Sequence, residues 1–321
     1  MKFIEPSVEI INQEAGIKGL YKMMELAGRT AYKSEDKITD DSATKFVNML
    51  ISRGHGAALE HGTLYLFFQT DESQDGSDYG DPFDVKSDFI FSKYSTVRGS
   101  LEGDKLYVTT NYRELLRIFE GMEDSIPRFL DCHMMDYNPA FERRVTVKFT
   151  CDRGVSHEFV RHRVFSFLQE STRYCNYSKD KFGGEITYII PRWIHDIQER
   201  IAGTVDPLTY DDRSGFRKYQ GKALMDMLCV HDRTVAEYVD TLSKIEDCYI
   251  NCTTLDDGTK LVPQQARQIL PNCLKTELIM TGTISQWEGF FKLRCAKDAH
   301  PDARYLADSL KQQFIERGYL N

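Results

Sequence analysis

The glycine patterns that cradle phosphates are missing from this chain of 321 residues. It has neither the Gly-x-Gly-x-x-Gly turn of a dinucleotide fold nor a Gly-x-x-x-x-Gly-Lys loop. No serine sits in a Gly-x-Ser-x-Gly elbow and no cysteine in a recognisable protease context, which removes the common nucleophile signatures. Eight cysteines are present, but no two are separated by two residues, so a zinc knuckle or dithiol motif is excluded. No window approaches the roughly 18 consecutive apolar residues of a membrane span, and Met1–Pro6 lacks the apolar core of a signal peptide. The expectation is a cytoplasmic protein, away from membranes, with reduced thiols acting as small core residues or incidental groups. Repeats, low-complexity tracts and Pro/Gly-rich linkers are also lacking, so one domain with insertions is the simpler reading. An excess of basic charge is absent as well. The net charge of −8 argues against broad electrostatic binding to nucleic acid, and an anionic ligand has to be caught locally.

What is present begins with helical spacing over residues 13 to 33 and 41 to 53, the second after the start signal Asp40-Asp41-Ser42. Thr63–Phe68 reads as a strand, and the acidic, turn-rich stretch 70 to 86 as a surface insertion. Val145–Asp152 alternates apolar and polar, which predicts a half-buried strand closed by Arg153-Gly154. From Ser156 to about Leu168, residues Phe159, Val160, Val164, Phe167 and Leu168 fall near helical spacing. Residues 196 to 260 read as a polar helical excursion. Leu274–Thr281 predicts another strand, and Ser285-Gln286-Trp287-Glu288 has the form of a capping box. On the helix that follows, Trp287, Phe290, Phe291 and Arg294 share one stripe. That puts an arginine on the face to be buried, and burying a guanidinium unpaired costs several kcal/mol. An anion or carboxylate should therefore meet Arg294.

Arg161-His162-Arg163 places three potential cations in a row, followed by Gln169, Glu170, Ser171, Thr172 and Arg173. Alone, such a triplet reads as a solvated basic turn. A strand leading in, forked donors at both ends and short hydrogen-bonding side chains between them point instead to an anion-binding centre. A zinc site is excluded, because His157 and His162 are five apart and would point roughly 140° apart on a helix.

Arg161-His162-Arg163, then seven residues, Ser171 and Arg173, resembles the signature of the flavin-dependent thymidylate synthases, with Tyr174-Cys175-Asn176-Tyr177 similar to one of its branches. Glu60-His61 before a strand resembles that family's histidine loop. Arg267–Pro271 resembles its Arg-x-x-Leu-Pro element, and Phe291-Lys292-Leu293-Arg294 its late helix. The resemblance spans about residues 50 to 300 in order.

That resemblance implies an α+β subunit with a mainly antiparallel or mixed sheet flanked by helices, assembled as a homotetramer. It implies a single catalytic domain over 1–321, with insertions at about 70–110 and 196–260. The implied reaction is reductive methylation of dUMP to dTMP with methylenetetrahydrofolate, FAD and NADPH, in which a cofactor replaces the missing nucleophile. Carried across, Thr63, Arg161, His162, Arg163 and Gln169 would contact FAD, with His61 beside the flavin as a catalytic residue together with Arg294. Glu158, Arg161, Gln169, Glu170, Ser171, Thr172, Arg173 and Arg267 would line the dUMP site. Arg294 would face the uracil and stabilise its N3-deprotonated form. Thr283, Ser285 and Gly289 depart from the pattern where that family often contacts its flavin. They leave open a nucleotide- or flavin-binding relative with lost turnover, and single-strand RNA binding through Arg173, Tyr174 and Tyr177 is a third alternative.

Overall fold

The computed structural model describes residues 1–69, 82–99, 105–204, 218–255 and 259–320. Its strands are β1 (Lys2–Ile4), β2 (Ser7–Ile11), β3 (Thr63–Gln69), β4 (Thr96–Gly99), β5 (Lys105–Asn111), β6 (Arg144–Asp152), β7 (Ser166–Gln169), β8 (Thr187–Ile189) and β9 (Lys275–Thr283). Its helices are α1 (Gly16–Tyr32), α2 (Ser42–Ser52), α3 (Gly56–Leu59), α4 (Pro82–Phe91), α5 (Tyr112–Ile118), α6 (Ile126–His133), α7 (Arg153–Phe159), α8 (Arg192–Thr204), α9 (Gly221–His231), α10 (Arg233–Thr254), α11 (Pro263–Ala266), α12 (Ile284–Arg294) and α13 (Pro301–Glu316). The fold is α+β.

The central sheet is antiparallel, in the order β2-β6-β9-β7. Val145, Val147, Phe149 and Cys151 alternate onto one face with Leu278 and Met280 of β9, and α7, α12 and α13 cover them. The opposite face carries Thr146, Lys148, Lys275, Glu277 and Thr281 by the same alternation. A second antiparallel sheet, β3-β5-β4, buries Leu64, Leu66, Phe68, Leu106 and Val108 against α1 and α2. Parallel strands β1 and β8 anchor a third core with α8, α9 and α10.

Three local expectations change. Residues 70–81 of the acidic stretch lie outside the described residues, and the remainder opens α4. The helix read through Leu168 stops at Phe159, because Ser166–Gln169 hydrogen-bonds to β9 as an edge strand. The capping box sits two residues earlier than Ser285: the Thr283 hydroxyl accepts from the Gln286 N–H while the Gln286 side chain accepts from the Thr283 N–H. Among the described residues, no helix is long and apolar enough to cross a membrane.

Candidate active site

Asp152 ends β6 and caps α7, its carboxylate accepting from the Val155 N–H at 2.7 Å. Thr283 ends β9 and caps α12. Both helices lie on the apolar face of the central sheet, so their far ends meet. There Arg294 Nη1 donates to Glu158 Oε2 at 2.8 Å, Nε donates to His162 Nε2 at 2.9 Å, and Nη2 donates to the Glu158 carbonyl. The stripe that buries Trp287, Phe290 and Phe291 thus delivers Arg294 to the carboxylate that its burial demanded.

The nitrogen of His162 that accepts this bond has no proton. Burial, reinforced by the Arg294 charge and opposed by Glu158, pushes the imidazole pKa down to about 4. The hydrogen bond from Arg294 holds the Glu158 carboxyl below its usual range. Near neutral pH the cluster is therefore a fixed guanidinium, a carboxylate and a neutral imidazole. Arg161 extends it, 3.4 Å from Glu158 and 70% exposed, and Arg163 is exposed with no side-chain partner among the described residues.

Helix α7 links this cluster to β7, because Gln169 Nε2 donates to Ser156 Oγ at 2.9 Å and to Thr276 Oγ1 at 3.1 Å. Beside the open edge of β7 lies a cavity of about 460 Å³. Gln169, Ser171 and Tyr174 form one wall, Tyr32 of α1 a second, and His55 and Arg113 a third. The Tyr32 hydroxyl is 2.9 Å from His55 Nδ1, and the Tyr32 and Tyr174 ring centroids are 5.5 Å apart. Arg173 is exposed over the Tyr174 ring. Tyr32, His55 and Arg113 escape sequence reasoning. The only sequence hint is a histidine between two glycines directly after α2.

Other expected site residues lie elsewhere. Glu170 turns inward and is buried, its carboxylate accepting from Lys275 Nζ at 3.0 Å and from the Tyr177 hydroxyl at 2.9 Å. Thr172 is buried. His61 has no exposed surface; its Nδ1 pairs with Thr281 Oγ1 at 2.7 Å, and its Nε2 is buried without a side-chain hydrogen-bond partner among the described residues. Burial and the Arg144 charge push its pKa down to about 3, with the Phe167 main chain only partly offsetting. Thr63 lines a separate cavity with Arg144. Arg267 is exposed, with no side-chain partner among the described residues. Thr283 and Ser285 hydroxyls bond each other at 3.0 Å, and Gly289 is exposed with open space before it.

Residues 137–317 match the family described as thymidylate synthase complementing protein, which covers more than half of the chain. The chain belongs to that family. It is similar to the flavin-dependent thymidylate synthases of Mycobacterium tuberculosis (strain ATCC 25618 / H37Rv) and Mycobacterium bovis (strain BCG / Pasteur 1173P2), each 26% identical over 155 residues, 48% of this chain and 50% of theirs. That of Mycobacteroides abscessus is 26% identical over 164 residues, 51% of this chain and 54% of its own. The chain spans about half the length of the curated relatives it matches. A crystal structure of the UMP/dUMP methylase PolB from Streptomyces cacaoi, bound with 5-Br dUMP, is 15% identical. Its alignment covers 98% of this chain and 93% of that one at a TM-score of 0.39, a likeness that carries no argument.

The family match contains the Glu158–His162–Arg294 cluster, the run to Tyr174, and Arg267. Tyr32, His55, His61 and Thr63 precede it, so the cavity is walled by residues from inside and outside the matched segment.

Proposed function

We propose that this protein methylates dUMP to dTMP reductively, with methylenetetrahydrofolate as carbon donor and FAD and NADPH for reduction. The observation that carries the reading is the Arg294 cluster. A guanidinium held by Glu158 and a neutral histidine is a fixed charge that needs no reorganisation when negative charge develops on a pyrimidine. Arginine has five N–H donors. Three are engaged here, leaving one on each terminal nitrogen for a substrate.

The residues present fit a flavin nucleotide. Tyr32 and Tyr174 supply aromatic walls, and the exposed Arg163, Arg173 and Arg267 have no carboxylate partner among the described residues, which suits them to phosphates. When bound, the flavin supplies hydride transfer. Arg161, His162, Arg163 and Gln169 hold it in this reading. Glu158, Ser171, Arg173 and Arg267 orient dUMP, with Arg294 against the uracil, while Glu170, Thr172, His61 and Thr63 support these surfaces from behind. Homotetramer assembly completes the site, consistent with Val164 and Leu293, which stand 65% and 62% exposed beside the cluster.

An absorbance spectrum of the purified protein tests the reading first. Flavin bands, retained or restored by added FAD and perturbed by dUMP, are expected. Protein that stays colourless after incubation with FAD contradicts it.

A further inference from the structure

A second cavity, of about 270 Å³, opens at the other end of α1. It shares no lining residue with the cavity beside β7, and the α1 helix between them is roughly 25 Å long at 1.5 Å per residue. Its lining includes Gln13, Tyr65, Tyr137, Arg143, Arg144 and Tyr319.

The two arginines stand in an unusual electrostatic position. Arg144 donates to the Glu60 carbonyl at 2.8 Å, Ser166 Oγ at 2.8 Å and Thr63 Oγ1 at 3.4 Å, all neutral acceptors. It lies deep enough that burial lowers its pKa to about 10, yet it keeps accessible surface as part of the cavity lining. Arg143 is held between two rings, 3.8 Å from the Tyr137 centroid and 4.7 Å from that of Tyr319, with one N–H at 3.4 Å from the Tyr319 hydroxyl. Aromatic faces fix the plane of a guanidinium and leave its edge free to donate.

Nearby carboxylates are engaged elsewhere. Glu60 pairs with Arg113, Glu142 with Arg98, and Glu14 with Lys22 at 2.7 Å. Glu14 and Asp136 both belong to the cavity lining, and both are exposed to water. Neither arginine has an acidic partner within ion-pair distance among the described residues. The N-terminus of α1 meets the same cavity at Ala15 and Gly16 with no side-chain cap and no acidic residue in its first turn, and it adds partial positive charge.

We propose that this cavity is an anion site for a phosphate group, free or carried on a small molecule, with Arg143 as the forked donor and Arg144 as the fixed charge behind it. The site stands independently of the reaction proposed above. Two uncompensated guanidiniums match a dianion better than a single carboxylate, and the tyrosine walls leave room for a small organic moiety beside it.

The test is a thermal melt of the full chain carrying Arg163→Gln, Arg173→Gln and Arg267→Gln, which silence the exposed arginines assigned to phosphates in the proposed active site. Inorganic phosphate or glycerol phosphate is titrated against chloride at constant ionic strength. Phosphate at about 100 times its Kd should raise Tm by about 5 °C. Adding Arg143→Gln should abolish the rise while leaving Tm without phosphate nearly unchanged. If that variant fails to fold, Arg143→Lys, which keeps the charge and loses the fork, should weaken phosphate binding by about tenfold. Tighter binding of glycerol phosphate identifies a carried phosphate. A melt that responds to phosphate no more than to chloride, or a folded Arg143 variant that responds like its parent, overturns the proposal.

Discussion

Arg294 and Arg144 are both partly buried and have opposite surroundings. Arg294 ends a helix whose apolar stripe carries it to Glu158, so its charge is balanced within the subunit. Arg144 opens a strand and donates only to neutral oxygens, so its charge is hydrogen-bonded without being balanced. Hydrogen-bond satisfaction and charge compensation are thus separate requirements, and a site can meet one without the other. In the first arginine the imbalance is resolved by the fold, and one N–H donor on each terminal nitrogen remains unengaged. In the second it is left facing a cavity.

The largest effect that separates the two is expected from Arg294→Ala. Loss of an oriented donor should lower kcat by about 10²–10³-fold while dUMP binding falls much less, and stability should change little because the abandoned Glu158 carboxylate can reach water. Equal losses in kcat and binding would reduce Arg294 to a substrate clamp. Arg144→Ala should behave the other way. Removing donors from Ser166 and Thr63, both buried, should cost about 2 kcal/mol in chemical denaturation, the loss partly offset by no longer burying a cation. An Arg144→Ala protein of unchanged stability would mean that its bonds are not structural.

A smaller effect concerns the histidines against which the two charges lie. His162 and His61 have folded pKa values pushed to about 4 and about 3, below the unfolded value near 6.5. The unfolded chain therefore takes up protons first, so this stability is fully present above about pH 6.5 and is lost as pH falls towards 4 and then 3. Denaturant midpoints should decline over that window, with a shallower decline in His162→Gln. An identical slope in the variant would show that His162 contributes nothing to it.

The sequence carried much of the frame, because β3, β6, β9, α1 and α2 declare themselves by local periodicity and start signals. The need for an acid at Arg294 was legible too, since it follows from one stripe on one helix. The identity of that acid was not, because Glu158 lies 136 positions away and meets it only after two strands pair. Strand β7 was misread as helix for a related reason. Its Phe167 and Leu168 fit helical spacing locally, and only the ladder to Met280 and Ile279 decides otherwise. Glu170 looked like a ligand contact beside Ser171 until Lys275, 105 positions away, drew it inward. The cavity wall of Tyr32, His55 and Tyr174 joins segments that no local pattern connects.

Product formation from dUMP is the most direct test of the central claim. Purified protein supplied with FAD, NADPH, dUMP and methylenetetrahydrofolate labelled in its one-carbon unit should yield labelled dTMP, dependent on each component and nearly abolished by Arg294→Ala. Bound flavin and bound dUMP with no labelled dTMP would contradict it.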